Sequence, residues 1–178
     1  MRFDLNEARG FLVRTPSVVR TLLNGVPDDW ADANYGPGTW SPREIVAHLV
    51  YGEMTDWIPR MRIILEHGPS RPFVPFDRAG HEPVMTGKSL AMLIDEFAQM
   101  RTARIGELDA VGLRDADLDR TGAHPELGSV TLRQLMAAWV VHDLNHIAQL
   151  SKALAYQYTD QVGPWERYLS ILAPPNPR

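Results

Sequence analysis

His142 and His146 stand four residues apart, and a helix would bring both imidazoles onto one face, one turn apart. That separation lets two ring nitrogens reach a single cation at the roughly 2.0–2.1 Å of a zinc–nitrogen bond. Leu135, Trp139 and Gln149 fall on the same face at steps of three and four, so the pair extends an inward stripe. His48 sits in a second such stripe with Ile45, Leu49 and Gly52. Each feature has an ordinary explanation: an i, i+4 pair also arises by packing or at a surface, and a lone histidine on an apolar face is commonly a hydrogen-bonded core residue. Three imidazoles facing one dry interior are harder to explain that way. Each would need buried partners for both ring nitrogens, and the neighbouring sequence offers few. A shared divalent cation would satisfy three of those nitrogens at once.

The chemistry of such a site follows from charge. Three neutral imidazoles leave the cation's double charge uncompensated, so a further ligand is driven toward its anionic form, water toward hydroxide with a pKa of about 7 or a thiol toward thiolate. The chain has no cysteine, so a thiolate must come from outside. Zinc and nickel both suit imidazole ligands. A two-iron centre is disfavoured, because it requires a Glu-x-x-His on each of two helices and the sequence has none.

The elements that must position these residues read as an all-α, four-helix bundle in a single domain spanning 1–178, with stretches rich in Gly and Pro between helices. Helix one is expected over Leu5–Asn24, with Thr15-Pro16 as a cap and first-turn pair that restarts or kinks it. Helix two starts at Ser41-Pro42-Arg43-Glu44, a capping box with proline in the first helical position, and runs to about His67 with a kink or short break at Pro59. Gly68 to Pro83 holds four prolines (69, 72, 75 and 83), which predicts a long ordered loop pinned by Phe73 and Phe76. Helix three is expected from Ser89 to Val111, with a stripe of Leu90, Leu93, Ile94, Phe97, Met100 and Ile105, stopped by Gly112. Helix four begins at Thr131, in a second capping box with Gln134, and runs to about Tyr156. A short helix is expected around Trp165–Leu172.

Composition limits the partners. With 18 basic against 22 acidic residues the net charge is -4 and the pI about 5.8, which gives no electrostatic basis for binding nucleic acid. The longest apolar run, Leu135–Val141, is seven residues, against roughly 20 needed to cross a bilayer, so no membrane span is expected. Arg2, Asp4, Glu7 and Arg9 stand among the first ten residues with no apolar run, which predicts a cytoplasmic protein.

Three stretches together resemble the DinB/YfiT-like four-helix bundle proteins: Trp40-Ser41-Pro42-Arg43-Glu44-Ile45-Val46-Ala47-His48-Leu49, Val141-His142-Asp143-Leu144-Asn145-His146-Ile147, and Gly163-Pro164-Trp165. The resemblance spans nearly the whole chain. It implies a divalent metal held by one histidine of the second helix and two of the last, here His48, His142 and His146. It also implies, for some relatives, thiol S-transferase or isomerase activity with a low-molecular-weight thiol such as bacillithiol or mycothiol, and a possible homodimer.

Around the three histidines, Gln149 and Tyr51 are candidates to hydrogen-bond a metal-bound water or a small-molecule substrate, with ordinary packing as the alternative. Asp143 and Asn145 are candidates to orient imidazole rings, unless they face solvent. His142-Asp143-Leu144-Asn145-His146 also resembles the His-Glu-x-x-His motif of zinc hydrolases, with the shorter aspartate in place of the catalytic glutamate. Glu44 lies one turn before His48, but the capping box accounts for it. His81 is placed to fold over the site, while His67 and His124 read as polar loop or helix-end residues. The tryptophans at 30, 40, 57, 139 and 165 are expected mainly in the core, with Trp139 lining the pocket. The leading function is a metal-dependent thiol S-transferase or hydrolase. The alternative, from a different class, is a non-catalytic bundle binding a small ligand or partner protein.

Overall fold

A computed structural model of the chain describes residues 3–173; Met1, Arg2 and the last five residues of the expected tail and domain lie outside the described residues. Four helical arms form the bundle: α1 (Leu5–Leu23), the pair α3 (Pro42–Thr55) and α4 (Trp57–His67), α6 (Leu90–Val111) and α7 (Leu132–Tyr156). Short helices α2 (Asp28–Ala31), α5 (His81–Met85) and α8 (Thr159–Val162) fill the connections. Both capping boxes form: Ser41 Oγ accepts from the Glu44 amide and Glu44 returns a bond to the Ser41 amide, and Thr131 and Gln134 do the same. Gly112 ends α6 at φ +62°, a left-handed conformation that favours glycine.

The two helix-interior prolines act differently. Pro59 cannot donate to the Thr55 carbonyl, and the second arm breaks at the next residue, Asp56, into α3 and α4. Pro16 does not restart the first arm. α1 runs through it unbroken, and Thr15, rather than capping, donates its hydroxyl to the Phe11 carbonyl at 3.2 Å. The Leu12 carbonyl, which a residue with an N–H at position 16 would have bonded, is left for another donor.

Two further elements depart from the sequence expectation. The proline-rich stretch is not loop to its end: after a 3-10 turn and an extended run, His81–Met85 forms α5, which packs on α3. Phe73 is buried and its amide donates to the Ala123 carbonyl at 2.9 Å. That carbonyl belongs to an antiparallel hairpin, β1 (Thr121–His124) and β2 (Gly128–Thr131), added to the otherwise helical chain in the register Thr121↔Thr131 to His124↔Gly128. His124 is thus a strand residue, its Nδ1 accepting from the Glu126 and Leu127 amides in the hairpin turn. The segment expected to form a terminal helix is two 3-10 turns, Gly163–Tyr168 and Ser170–Leu172, which leave Trp165 70% exposed rather than in the core. No helix among the described residues is long and apolar enough to cross a membrane.

The core is divided. One apolar cluster gathers Leu12, Trp57, Met61, Ile105, Leu108, Leu135 and Trp139; the other gathers Val19, Ile45, Leu49, Phe97, Leu93 and Leu150. Every arm crosses from one cluster to the other, and at the crossing each carries a polar or irregular residue: Pro16 on α1, Glu53 on α3, Arg101 on α6, and His142, Asp143 and His146 on α7. A polar layer therefore separates two apolar halves.

Candidate metal centre

The helical spacing of α3 and α7 brings His48, His142 and His146 together. His48 and His146 are buried and His142 half-buried, and one ring nitrogen from each lies within 4.8 Å of the others. His142 Nε2 is 3.0 Å from His48 Nε2 and 3.1 Å from His146 Nε2. Nitrogens so spaced can both bond one ion at about 2.0–2.1 Å. Gln149 Oε1 lies 2.7 Å from His146 Nδ1. An amide oxygen only accepts, so Nδ1 carries a proton, which in a neutral ring leaves Nε2 bare toward the cluster.

Hydrogen bonding does not fully account for this arrangement. One proton on His142 Nε2 can point at only one of its two neighbouring nitrogens, leaving the other contact without a hydrogen bond. The Nδ1 atoms of His48 and His142 are buried with no hydrogen-bond partner among the described residues. Three convergent Nε2 atoms, once unprotonated, are the donor set a divalent cation requires, and the residues present fit one.

Electrostatics keep the His48 and His142 rings neutral. Burial, with the neighbouring imidazoles of His146 and His81, pushes His48 down to about 3. Burial, with His146, His48 and the Arg101 charge, pushes His142 down to about 2. The unfolded chain protonates both near 6.5, so it binds more protons than the folded chain below that pH. The metal-free protein should therefore be most stable above pH 6.5 and lose stability as pH falls toward 3, at about 1.4 kcal/mol per unit for each ring once well below 6.5. Asp56, pushed up to about 6 by burial against the opposing charge of Arg60, contributes with the opposite sign over part of that window. Urea unfolding between pH 7 and 5 should show a net fall, and His142→Leu should remove about half of the histidine contribution.

Aromatic residues wall the cluster. Trp40 lies 4.7 Å from His48 and is near-parallel to His146 at 6.2 Å, while Phe76 meets His48 edge-on at 5.4 Å. Tyr51 packs against Phe76, with ring centroids 5.2 Å apart. The Tyr51 ring also lies so close to Gly80 that a Cβ there would stand 2.2 Å from it, so glycine is required where α5 meets α3. His81 is buried beside Trp40 and 6.2 Å from the His48 ring, with its Nδ1 3.1 Å from the Arg78 carbonyl.

Several expected roles change. Gln149 holds His146 instead of standing free for water or substrate. Replacing it with leucine should weaken metal binding about tenfold or more, since partners that orient ligating imidazoles are worth 10–100-fold; a titration with zinc measures this. Asp143 is buried but turned away from the rings, with both oxygens accepting from Arg101 at 2.6 and 2.9 Å. It cannot stand in for the glutamate of a His-Glu-x-x-His hydrolase. Asn145 faces solvent. Trp139 is fully buried behind the site, stacked on Trp57 at 5.6 Å, and it is Trp57 that touches His142, at 5.1 Å. Arg101 and Glu53, 1% and 0% exposed, were not anticipated. Their signal was present: Arg101 interrupts the apolar stripe of α6 four residues from both Phe97 and Ile105. Two surface clefts, of about 500 and 610 Å³, lie along α1 away from the histidines, so the donor set rather than cavity volume marks this site.

Three convergent imidazoles from two arms of a helical bundle form a group that could hold a metal ion. The chain belongs to the DinB superfamily, whose family model matches residues 12–150. A Bacillus licheniformis relative named "Putative metal-dependent hydrolase" is 26% identical over 83% of each chain. An Oceanobacillus iheyensis protein of the same description is 22% identical over 83% of this chain and 84% of its own. Among solved structures, YfiT from Bacillus subtilis, described as "a probable metal-dependent hydrolase with an unusual four-helix bundle topology", superposes with a TM-score of 0.72 at 20% identity, covering 86% of this chain and 87% of that one. TT2238, a four-helix bundle protein, gives a TM-score of 0.50 at 18% identity over 83% of this chain and 98% of its own. These two likenesses establish the bundle fold.

Proposed function

We propose that this protein is a metal-dependent hydrolase acting on a small molecule, with His48, His142 and His146 holding one divalent cation, zinc or nickel. The observation that carries the reading is the approach of three histidine Nε2 atoms to one another at 3.0 and 3.1 Å in a largely buried cluster flanked by aromatic rings. The descriptions of the relatives as metal-dependent hydrolases support it. A cation bound by three neutral ligands supplies a Lewis acid that lowers the pKa of a water at its open position to about 7.

The chain's own residues do the rest. Gln149 holds His146 in the tautomer that offers Nε2. Trp57 packs against the His142 ring and fixes its plane. Trp40, Phe76 and the buried His81 limit water around the nitrogens, which strengthens electrostatic interactions there. Asp143 is committed to Arg101, so proton removal from the nucleophile does not fall to it.

The same site would activate a low-molecular-weight thiol for S-transfer, and one assay separates the two chemistries. Metal-loaded protein is incubated with ester, amide and alkylating substrates, with and without thiol, beside His146→Ala. Thiol-independent turnover lost in the variant supports hydrolysis. A rate seen only with thiol replaces hydrolysis with transfer. No metal-dependent turnover in either arm, together with unfolding on chelation, contradicts the enzyme and favours a non-catalytic bundle with a structural metal.

A further inference from the structure

Resting on the metal-centre reading, we infer that Arg101 is a positioning residue for the histidine cluster, fixing the helix that carries His48 against the helix that carries His142 and His146. Arg101 belongs to α6, which contributes no histidine to the cluster. Its Nη1 donates to Asp143 Oδ2 at 2.6 Å and to the Leu12 carbonyl at 2.9 Å. Its Nη2 donates to Asp143 Oδ1 at 2.9 Å and to Glu53 Oε1 at 2.8 Å. Asp143 follows His142 directly, and Glu53 lies five residues after His48. One planar group thus ties both histidine-bearing helices, and its fixed fork leaves little freedom in their relative position.

A second path reaches the cluster through packing. Glu53 Oε1 also accepts from Trp139 Nε1 at 3.2 Å. Trp139 stacks on Trp57, and Trp57 meets the His142 ring edge-on. His142 has no hydrogen bond at Nδ1 among the described residues, so the edge-on Trp57 contact bears on its orientation beside the approaches of its Nε2 to His48 and His146. Arg101 touches none of the three nitrogens, and its influence runs through the helices and the tryptophan pair.

Stability does not explain why a core keeps such a layer, because buried ion pairs contribute little over well-packed apolar residues of similar volume. The sequence also makes room for the arginine on the first arm, where Pro16 frees the Leu12 carbonyl that Arg101 bonds. A fixed register between α3 and α7 is what this arrangement supplies beyond packing.

The test compares wild type with two variants. Arg101→Lys keeps the charge but cannot reach all three partners with a planar fork. The triple variant Arg101→Met, Glu53→Gln, Asp143→Asn leaves no unpaired buried charge and keeps an amide acceptor for Trp139. Zinc and cobalt affinities are measured by competition with a chromophoric chelator, with the visible spectrum of the cobalt form and the helical circular dichroism. Both variants should keep wild-type helix content, bind metal about 10–100-fold more weakly and show an altered cobalt spectrum. A folded triple variant with affinity within twofold of wild type and an unchanged spectrum overturns the inference. If the triple variant does not fold, the same result for Arg101→Lys overturns it. Wild-type protein that binds neither ion defeats the metal-centre reading itself, a separate failure visible without any variant.

Discussion

Arg101→Met should lower the unfolding free energy by about 3–5 kcal/mol, the usual cost of removing one partner from a buried charge cluster. The substitution leaves Asp143 and Glu53, 2% and 0% exposed, facing each other without the guanidinium that bonds both. Burial already pushes the Glu53 carboxyl up, with the Asp143 charge adding to the shift, and Arg101 is the main influence opposing it. The arginine is correspondingly held in its charged form: burial works against the charge, but its bonds to Asp143 and Glu53 prevail. Against a typical total of about 5–15 kcal/mol for a domain, the loss is a large fraction, and at this size it corresponds to a melting point lower by roughly 6–20 °C. Neutralising all three charges together should recover most of it. Chemical denaturation of the single and triple variants checks both statements, and a loss below about 1 kcal/mol for Arg101→Met would mean that the layer is solvated in a way the fold does not show.

His142→Ala should abolish metal binding under conditions where wild type is saturated, with affinity weaker by about a hundredfold or more. Structural zinc sites bind with about 10–16 kcal/mol over four ligands, or about 3 kcal/mol per ligand. His142 is the most telling of the three because its Nε2 is the one 3.0 and 3.1 Å from the other two. The fold should survive. Removing a ring that resists protonation takes away a term that destabilises the metal-free protein at acid pH, so the variant should lose less stability than wild type between pH 7 and 5. Calorimetric titration with zinc and denaturation at pH 5 and 7 measure the two effects. Unchanged affinity would remove His142 from the ligand set.

Helix starts were legible wherever a side chain bonds a backbone amide a few residues away, as at Ser41 and Thr131, because that interaction is local. The three histidines were legible for a related reason: helical periodicity projects i, i+4 neighbours onto one face whatever the tertiary fold. The fate of Asp143 was not. Its sequence neighbours suggest an imidazole partner, whereas its actual partner, Arg101, lies 42 residues earlier and reaches it only after α6 packs on the bundle. Glu53 was missed for the same reason. Pro16 misled because the cost of an interior proline is met not by breaking α1 but by a distant donor to the Leu12 carbonyl. The hairpin's strands are only four residues each and contain glycine, which disfavours strands, and its pairing with Phe73 is long-range.

The central claim, that His48, His142 and His146 form one divalent metal site, is tested most directly by metal analysis of untagged protein purified without chelator, beside His146→Ala. The account predicts about one equivalent of zinc or nickel per wild-type chain and none in the variant. Wild-type protein that is metal-free and takes up neither ion on titration, or a variant that retains the metal, would contradict it.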